Sequence, residues 1–223
     1  MNVWEVKDVC TKILDGISMY FVGNKLMLRK LLASGLANGH ILFEDYPGLG
    51  KTLLAKVFAR VTGCTWGRVQ FTPDLMAADI LGTRVWRMAE SKFVLEKGPI
   101  FTNILLADEI NRSPPKTQSA LLEAMEERQV TIEGETHKLS APFFVIATQN
   151  PIELEGTYPL PEAQMDRFLI KLSMGYVPTK AEENLILKRR IGWRRDDPTD
   201  FIKPVTDQAL FVAIQQFVET EIY

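Results

Sequence analysis

The stretch FEDYPGLGKT occupies residues 43–52 of a 223-residue chain. It nearly matches GxxxxGK[ST], the pattern of loops whose backbone N–H groups and lysine surround phosphate oxygens. Counting back five positions from Gly50 places Asp45 where the pattern has its first glycine. A carboxylate about 4 Å from a phosphate would cost about 4 kcal/mol at an effective dielectric constant near 20. We therefore predict that Asp45 turns away from the phosphates and bonds to backbone or to a basic group.

The segments on either side of this stretch supply the context that a phosphate loop requires. Residues 40–43 predict a strand, and residues 53–61 predict a helix. A glycine loop between a strand and a helix directs N–H groups and the positive end of the helix dipole at an anion. Lys51 is placed to reach the β- and γ-phosphates, and the Thr52 hydroxyl is placed to bind Mg²⁺.

Short apolar segments alternate with helical ones along most of the chain. Further strands are predicted near residues 68–71 and within NILLADE (103–109), FFVIATQN (143–150) and RFLIKLS (167–173). The pairs RVWRM (84–88) with KFVLE (92–96), and QVTIEGETHKL (129–139), predict two hairpins. This order predicts an α/β fold of three layers around a mainly parallel sheet of five strands. Ser113 before Pro114 predicts a capped helix that runs to about Glu127.

Two acids follow the buried strand ILLA (104–107) at the edge of the sheet where ligands of such sheets bind. Asp108 suits a Mg²⁺ ligand, and Glu109 is placed to orient and polarise an attacking water molecule. The alternative is a pair of strand-end acids that face solvent.

Two further polar residues are candidates for the same site. Asn150 ends the strand FFVIATQ and could hold a phosphate or the water molecule, although an asparagine before Pro151 is also an ordinary turn signal. Arg167 precedes the last strand and could neutralise charge on a transferred phosphoryl group. Its alternative is a local ion pair with Asp166 or Glu162.

Composition excludes several classes of protein. A net charge of −2 and a pI near 5.8 give no basic field for a nucleic acid, which is therefore disfavoured as a partner. The two cysteines and two histidines lack the spacing of a zinc site. No segment has the ~18 uninterrupted apolar residues of a membrane helix, so we expect no membrane span and a cytoplasmic location.

Long stretches of the chain resemble the MoxR-type AAA+ ATPases. The resemblance rests on PGLGKT (47–52), ILLADEINR (104–112), PPKTQSALLEAMEERQVTIEG (114–134) and FFVIATQNPIELEGTYPLPEAQMDRF (143–168), and covers residues 22–178. It implies that the chain binds and hydrolyses ATP with Mg²⁺. It also implies a ring, homohexameric when the lid is intact, that remodels a protein substrate, with a von Willebrand A-type protein as a candidate partner.

The resemblance also implies a role for individual residues. Lys51 and Thr52 match the Walker A motif, Asp108 and Glu109 match Walker B, and Asn150 matches sensor 1. Arg167 matches the arginine finger, which acts on the nucleotide of the neighbouring subunit. The other residues expected to contact the nucleotide are Val22, Gly23, Tyr46, Pro47, Gly48, Leu49, Gly50 and Leu53.

Two departures from the family pattern stand out, Asp45 and the C-terminal region. Residues 1–178 correspond to the nucleotide-binding core with its N-terminal helices, and residues 179–223 to a linker and an incomplete helical lid. The arginines at 189, 190, 194 and 195 lie too early to match sensor 2 and suit a solvated face or an interdomain contact. A shortened lid is expected to weaken closure of the site over the nucleotide and assembly of the ring.

Two alternative functions stay open. One is a nucleic-acid motor of related architecture, and the other is a nucleotide-gated binding module with little turnover.

Overall fold

The structure is a computed structural model and describes residues 1–46, 48–151, 156–175, 179–193 and 197–221. Its helices are α1 (Val3–Tyr20), α2 (Lys25–Leu36), α3 (Lys51–Val61), α4 (Ala77–Leu81), α5 (Pro115–Glu127), α6 (Glu162–Met165), α7 (Lys180–Trp193) and α8 (Gln208–Glu221). Its strands are β1 (Ile41–Glu44), β2 (Trp66–Gln70), β3 (Gly82–Arg87), β4 (Lys92–Lys97), β5 (Ile104–Asp108), β6 (Gln129–Ile132), β7 (Glu135–Lys138), β8 (Phe144–Gln149) and β9 (Ile170–Leu172).

The central sheet has five strands in the order β2-β5-β8-β1-β9, and all four pairings are parallel. This confirms the predicted α/β class and the mainly parallel sheet. The other two sheets are the hairpins β3–β4 and β6–β7, which confirms both predicted inserts. Because the central strands are parallel, the residues that follow β1, β2, β5 and β8 meet at one edge of the sheet.

Side chains that alternate along the central strands enter two apolar cores on opposite faces of the sheet. Ile41 and Phe43 pack with residues of α1, α2, α3 and α8, whereas Leu42 between them packs with residues of α5. The same alternation in β5 sends Leu106 to the first core and Leu105 to the second. The sheet is thus buried on both faces, which explains the nearly continuous apolar strands in the sequence.

The start of α5 differs from the prediction. Pro114 is the N-cap residue and Pro115 the first helical residue, and no side chain caps the helix. Ser113 is buried, and its hydroxyl donates to the Ile110 carbonyl at 3.5 Å instead. The prediction that Ser113 caps the helix was therefore wrong, because the chain turns back toward residues 110–112 before the helix begins.

The C-terminal region packs against the preceding part of the chain through several contacts, of which two are described here. Phe211 and Ile214 of α8 lie in the first core, and the Phe211 ring packs edge-on against Phe58 at a centroid distance of 6.1 Å. Arg189 of α7, predicted to lie on a solvated face or at an interdomain contact, donates to the Ser18 carbonyl of α1 at 2.9 Å. The boundary predicted at residue 178 falls outside the described residues and stays a prediction.

The described residues contain neither a cluster of metal-binding side chains nor a helix that could span a membrane. Cys10 and Cys64 are free cysteines, and no group of His, Cys, Asp or Glu in the described ranges could by itself hold a metal ion. None of the helices in those ranges is long and apolar enough to cross a membrane.

His40 lies directly before β1 and ties the sheet to α5. Its Nδ1 accepts from the Val145 N–H at 3.0 Å, and its Nε2 lies 3.1 Å from the Met125 carbonyl, to which an Nε2–H would donate. This pattern requires the neutral ring, because a proton on Nδ1 would face the Val145 N–H. Burial and the Arg128 guanidinium lower the pKa of His40 to about 3, while the bond to Met125 opposes them.

Stability is expected to fall in mild acid because of His40. The folded protein favours the neutral ring, so the stabilisation is complete above the ordinary pKa of 6.5 and is lost as the pH falls toward 3. Between pH 7 and pH 5 this residue should contribute a loss of about 2 kcal/mol in the free energy of unfolding. Urea unfolding at both pH values measures it. His40→Gln should have a lower free energy of unfolding at pH 7, but that free energy should fall less between pH 7 and pH 5 than in the wild type. Equal falls in both proteins would refute the assignment to His40.

Candidate nucleotide site

A cavity of about 1350 Å³ opens at the edge of the sheet where the parallel strands end. Its wall includes residues 20–25, from the end of α1 to the start of α2, residues 48–53, the ends of β2, β5 and β8, residues 174–175, and one face of α7. Ligand pockets are commonly about 300–1,000 Å³, so this open cavity has room for a nucleotide.

The loop between β1 and α3 has the backbone that close approach to an anion requires. Gly48 has a φ of +85°, and Gly50, the N-cap of α3, has a φ of +82°. Residues with a Cβ atom rarely adopt these backbone angles. A Cβ built on Gly48 would meet no atom within 4 Å, so the space beside it is open. Pro47 lies outside the described residues.

Lys51 begins α3 and folds back over the loop. Its Nζ donates to the Asp45 carbonyl at 2.9 Å. Burial lowers the pKa of Lys51, and the nearby carboxylates of Asp45, Asp108 and Glu109 oppose that shift. The Lys51 side chain is thus a partly desolvated cation beside the loop. A cation in such a place attracts phosphate more strongly than one fully exposed to water, because the effective dielectric constant is lower.

The Asp45 carboxylate does not point at the loop's N–H groups. The Ser173 hydroxyl donates to Oδ1 at 2.6 Å, the Met174 N–H to Oδ2 at 2.6 Å, and the Gly175 N–H to Oδ1 at 3.5 Å. The residue is buried, with 4% of its surface exposed. Bonding to backbone was one of the two predicted outcomes, and it is confirmed. Asp45 therefore joins β1 to the segment that follows β9.

Restoring the glycine of the common loop pattern is expected to harm the protein. Asp45→Gly removes the only acceptor found here for the Met174 N–H among the described residues and should lower the free energy of unfolding by about 3 kcal/mol. Asp45→Asn, which keeps one acceptor oxygen, should lose less. Urea unfolding measures both. A variant with unchanged stability and ATP affinity raised by about a thousandfold would mean that the carboxylate faces the phosphates.

Asp108 and Glu109 are held by a polar network on neighbouring strands. The Thr148 hydroxyl donates to Asp108 Oδ1 at 2.7 Å and accepts from the Glu109 N–H at 2.8 Å. Glu109 has φ of +57°, a left-handed conformation that is strained for a glutamate. One hydroxyl therefore fixes the carboxylate of the first acid and the backbone of the second.

Two residues of β2 that the sequence interpretation missed complete this network. Arg68 Nη2 donates to Asp108 Oδ2 at 2.8 Å and to Gln70 Oε1 at 2.7 Å, and Gln70 Nε2 donates to Glu109 Oε2 at 2.7 Å. Arg112 also lies 3.3 Å from Glu109 Oε2. One feature of the sequence could have indicated these two residues. Arg68 and Gln70 alternate in RVQ (68–70), so they face the same side of a predicted strand that can lie next to the strand ending in two acids.

Most of the other predicted residues also lie on the cavity wall, namely Val22, Gly23, Leu49, Thr52, Leu53 and Asn150. The Asn150 carbonyl accepts from Asn111 Nδ2 at 3.3 Å. Tyr46 is 46% exposed and is not among the described residues of the wall, so its contact with a nucleotide stays a prediction.

Arg167 lies away from this cavity. It forms an ion pair with Glu126 near the end of α5, so the partners named in the alternative interpretation, Asp166 and Glu162, were wrong. Arg167 and Glu126 line a separate depression of about 440 Å³, together with Gln164.

The residues present on the wall fit a triphosphate and a divalent cation. The glycine loop, the start of α3 and Lys51 supply donors for phosphate oxygens. Asp108 already binds one cation, the Arg68 guanidinium, and lies on the same wall as the Thr52 hydroxyl. A carboxylate and a hydroxyl are ligands of the kind that Mg²⁺ takes beside phosphates.

Comparison with known proteins places this site in a family. The model of the ATPase family associated with various cellular activities (AAA) matches residues 40–170. The chain is 48% identical over 208 residues to the uncharacterised protein YeaC of Bacillus subtilis, covering 93% of this chain and 64% of YeaC. It is 53% identical over 173 residues to chaperone MoxR1 of Mycobacterium tuberculosis, covering 78% of this chain and 46% of MoxR1.

A solved structure agrees with these relatives. The crystal structure of a presumed ATPase from Cytophaga hutchinsonii superposes with a TM-score of 0.86 at 40% identity, covering 97% of this chain and 64% of that one. The chain thus spans between about half and two thirds of the length of these relatives. The loop, the paired acids and the parallel sheet match the family in kind and order, and the chain belongs to the MoxR-type AAA+ ATPases.

Proposed function

We propose that the protein binds ATP with Mg²⁺ in the cavity and hydrolyses it to ADP and phosphate. The observation that carries this proposal is the convergence of the glycine loop, Lys51, Asp108, Glu109 and Asn150 on one wall. These residues come from three places along the chain, the loop after β1, the end of β5 and the end of β8, and a site for a neutral metabolite would not require two acids beside a lysine.

The loop and Lys51 bind and orient the triphosphate in this proposal. Backbone N–H groups at the start of α3 donate to phosphate oxygens, and Lys51 exchanges its bond to the Asp45 carbonyl for the β- and γ-phosphates. Thr52 and Asp108 would hold Mg²⁺. The metal, when bound, supplies charge neutralisation at the phosphate oxygens.

Glu109 acts on the attacking water molecule. Its carboxylate can accept a proton from water and orient the water for in-line attack on the γ-phosphorus atom. Asn150 supplies a neutral donor on the same wall, for the γ-phosphate or the water. Gln70 donates to Oε2 of this carboxylate, and an ionised carboxylate has further lone pairs with which to accept from water.

Hydrolysis is proposed to require a neighbouring molecule. The Arg167 guanidinium lies on a separate surface from its own chain's cavity and could neutralise charge at the next subunit's γ-phosphate. This arrangement is that of a ring, and we propose a homohexamer as in the family. The assembled protein would use ATP turnover to remodel a partner protein, as the name chaperone given to MoxR1 suggests. A von Willebrand A-type protein is the proposed partner class, and the cytoplasm the proposed location.

The test measures binding and turnover on one purified preparation. Nucleotide binding is followed with a fluorescent ATP analogue, and phosphate release is followed with ATP in the presence of Mg²⁺ or excess EDTA. The proposal predicts binding, and phosphate release that requires Mg²⁺ and rises with protein concentration as subunits associate. Absence of nucleotide binding would refute it, and binding without turnover at any concentration would favour a nucleotide-gated module.

A further inference from the structure

Arg167 is held on its own subunit by a residue that hydrolysis as described does not use. It forms an ion pair with Glu126 near the end of α5, and the two side chains are 35% and 55% exposed, respectively. Neither residue is among the described residues of the nucleotide cavity's wall. An Arg167 that acts on a neighbour's nucleotide therefore has to give up one anion, the Glu126 carboxylate, for another, the phosphate.

The depression around this ion pair is acidic. Its wall includes the carboxylates of Glu123, Glu126 and Glu127, and Arg167 is the one cation among its described residues. The three acids lie near the C-terminal end of α5, which is the negative end of the helix dipole. A phosphate that approached Arg167 here would lie beside carboxylates and be repelled by them. The guanidinium therefore cannot hold Glu126 and a triphosphate at the same time.

The position that Arg167 occupies in the depression is one that its side chain can leave. A guanidinium has five N–H donors, whereas its ion pair here is with a single carboxylate that is more than half exposed. Gln164 Oε1, an acceptor on the same wall, is buried and has no hydrogen-bond partner among the described residues. Because exposed ion pairs stabilise a structure only slightly, a phosphate at the subunit interface can compete with Glu126 for the arginine.

We propose that Glu126 is a positioning residue that keeps Arg167 on its own subunit and competes with the γ-phosphate of the neighbouring subunit for that guanidinium. Removal of the carboxylate should let nucleotide-loaded subunits associate more tightly, because Arg167 no longer has to leave a partner. The inference rests on the proposed function, because it takes Arg167 as a cation that is supplied across subunits. It adds a contact within each subunit that sets how readily the active interface forms.

The first test separates subunit association from turnover. Phosphate release is measured over a range of protein concentrations in saturating ATP and Mg²⁺, which gives the concentration for half-maximal turnover and the maximal turnover per subunit. Because the ion pair is partly exposed, we expect Glu126→Ala to lower the half-maximal concentration by about two- to fivefold. The maximal turnover should not fall. Loss of a residue that only stabilised the fold would instead raise that concentration or lower the maximal turnover.

Two further substitutions isolate the ion pair from the charge of the depression. Glu123→Ala is the matched control, because it removes one carboxylate of the same helix and the same depression but leaves the pair of Arg167 with Glu126 intact. Its half-maximal concentration should stay close to that of the wild type. Glu126→Asp keeps the charge on a shorter side chain, so its half-maximal concentration should lie between those of Glu126→Ala and the wild type.

A double-mutant cycle tests whether Glu126 acts through Arg167. Sedimentation of the protein with a non-hydrolysable ATP analogue and Mg²⁺ measures association without hydrolysis. Glu126→Ala should strengthen association when Arg167 is present and have no effect in the Arg167→Ala background.

Three results would overturn the inference. An unchanged or higher half-maximal concentration in Glu126→Ala would exclude competition for Arg167. Equal shifts in Glu123→Ala and Glu126→Ala would assign the effect to the charge of the depression. An equal effect of Glu126→Ala with and without Arg167 would exclude action through the arginine. Thermal unfolding of each variant verifies that α5 still folds. Failure of the proposed function would look different, since the wild type itself would release no phosphate or show no rise with concentration.

Discussion

Glu109→Gln is expected to hold ATP without hydrolysing it. The glutamine has nearly the same shape but cannot accept a proton from the attacking water molecule, so turnover should fall by about 10²- to 10⁴-fold. Binding should persist, because the donors for the phosphates come from the loop and Lys51 and one negative charge near the phosphates is removed. The backbone of residue 109 should stay in place, since the Thr148 hydroxyl binds its N–H.

The measurement combines phosphate release with titration of a fluorescent ATP analogue on the same preparation. Glu219→Gln, on the exposed face of α8, is the control for loss of one carboxylate and should match the wild type in both assays. Undiminished turnover in Glu109→Gln would remove this residue from its proposed role. Loss of binding together with turnover would instead indicate that the substitution disturbs the loop.

Arg167→Ala is expected to abolish turnover while each subunit still binds nucleotide. A cation supplied to the γ-phosphate from a neighbouring molecule is worth about 10³- to 10⁵-fold in related phosphoryl transfers, so the loss should be of that order. Binding should change little, because Arg167 lies off its own chain's cavity and pairs with Glu126. Arg87→Ala controls for loss of one arginine, because Arg87 pairs with Glu90 on the hairpin β3–β4 and is not among the described residues of the cavity wall.

Mixing distinguishes action on a neighbouring site from action on the arginine's own site. Lys51→Ala subunits lack a functional phosphate loop but retain Arg167, and Arg167→Ala subunits have the opposite defect. A mixed assembly contains sites with an intact Lys51 and an intact neighbouring Arg167, so mixing should restore part of the phosphate release. If equal mixtures stay as inactive as either variant alone, Arg167 does not act across subunits.

The fold could be predicted from sequence because its signals are local. Runs such as ILLA (104–107) are buried on both faces, and apolar spacing together with loop glycines marks the helix after the phosphate loop. Asp108, Glu109 and Asn150 could be brought together for the same reason, since parallel strands end at one edge of the sheet. These inferences required only the order of strands and helices along the chain, and not the register in which the strands pair.

The remaining contacts depend on pairings between distant segments. Gln70 meets Glu109 because Gln70 lies opposite Asp108 in the register of β2 and β5, which no local pattern specifies. The Asp45 carboxylate finds its donors at residues 173–175, and position 45 alone gave only the expectation of a backbone or basic partner. The alternative considered for Arg167 was a pair with Asp166 or Glu162, but the end of α5 brings Glu126 beside it.

The central claim is that the loop, the paired acids and Asn150 form one ATP site. The most direct measurement is a crystal structure of the protein with a non-hydrolysable ATP analogue and Mg²⁺. We predict phosphates against the N–H groups of residues 48–52, the metal between Thr52 and Asp108, and the Asp45 carboxylate still bonded to Met174. A nucleotide bound elsewhere, or an Asp45 carboxylate turned into the loop, would contradict the account.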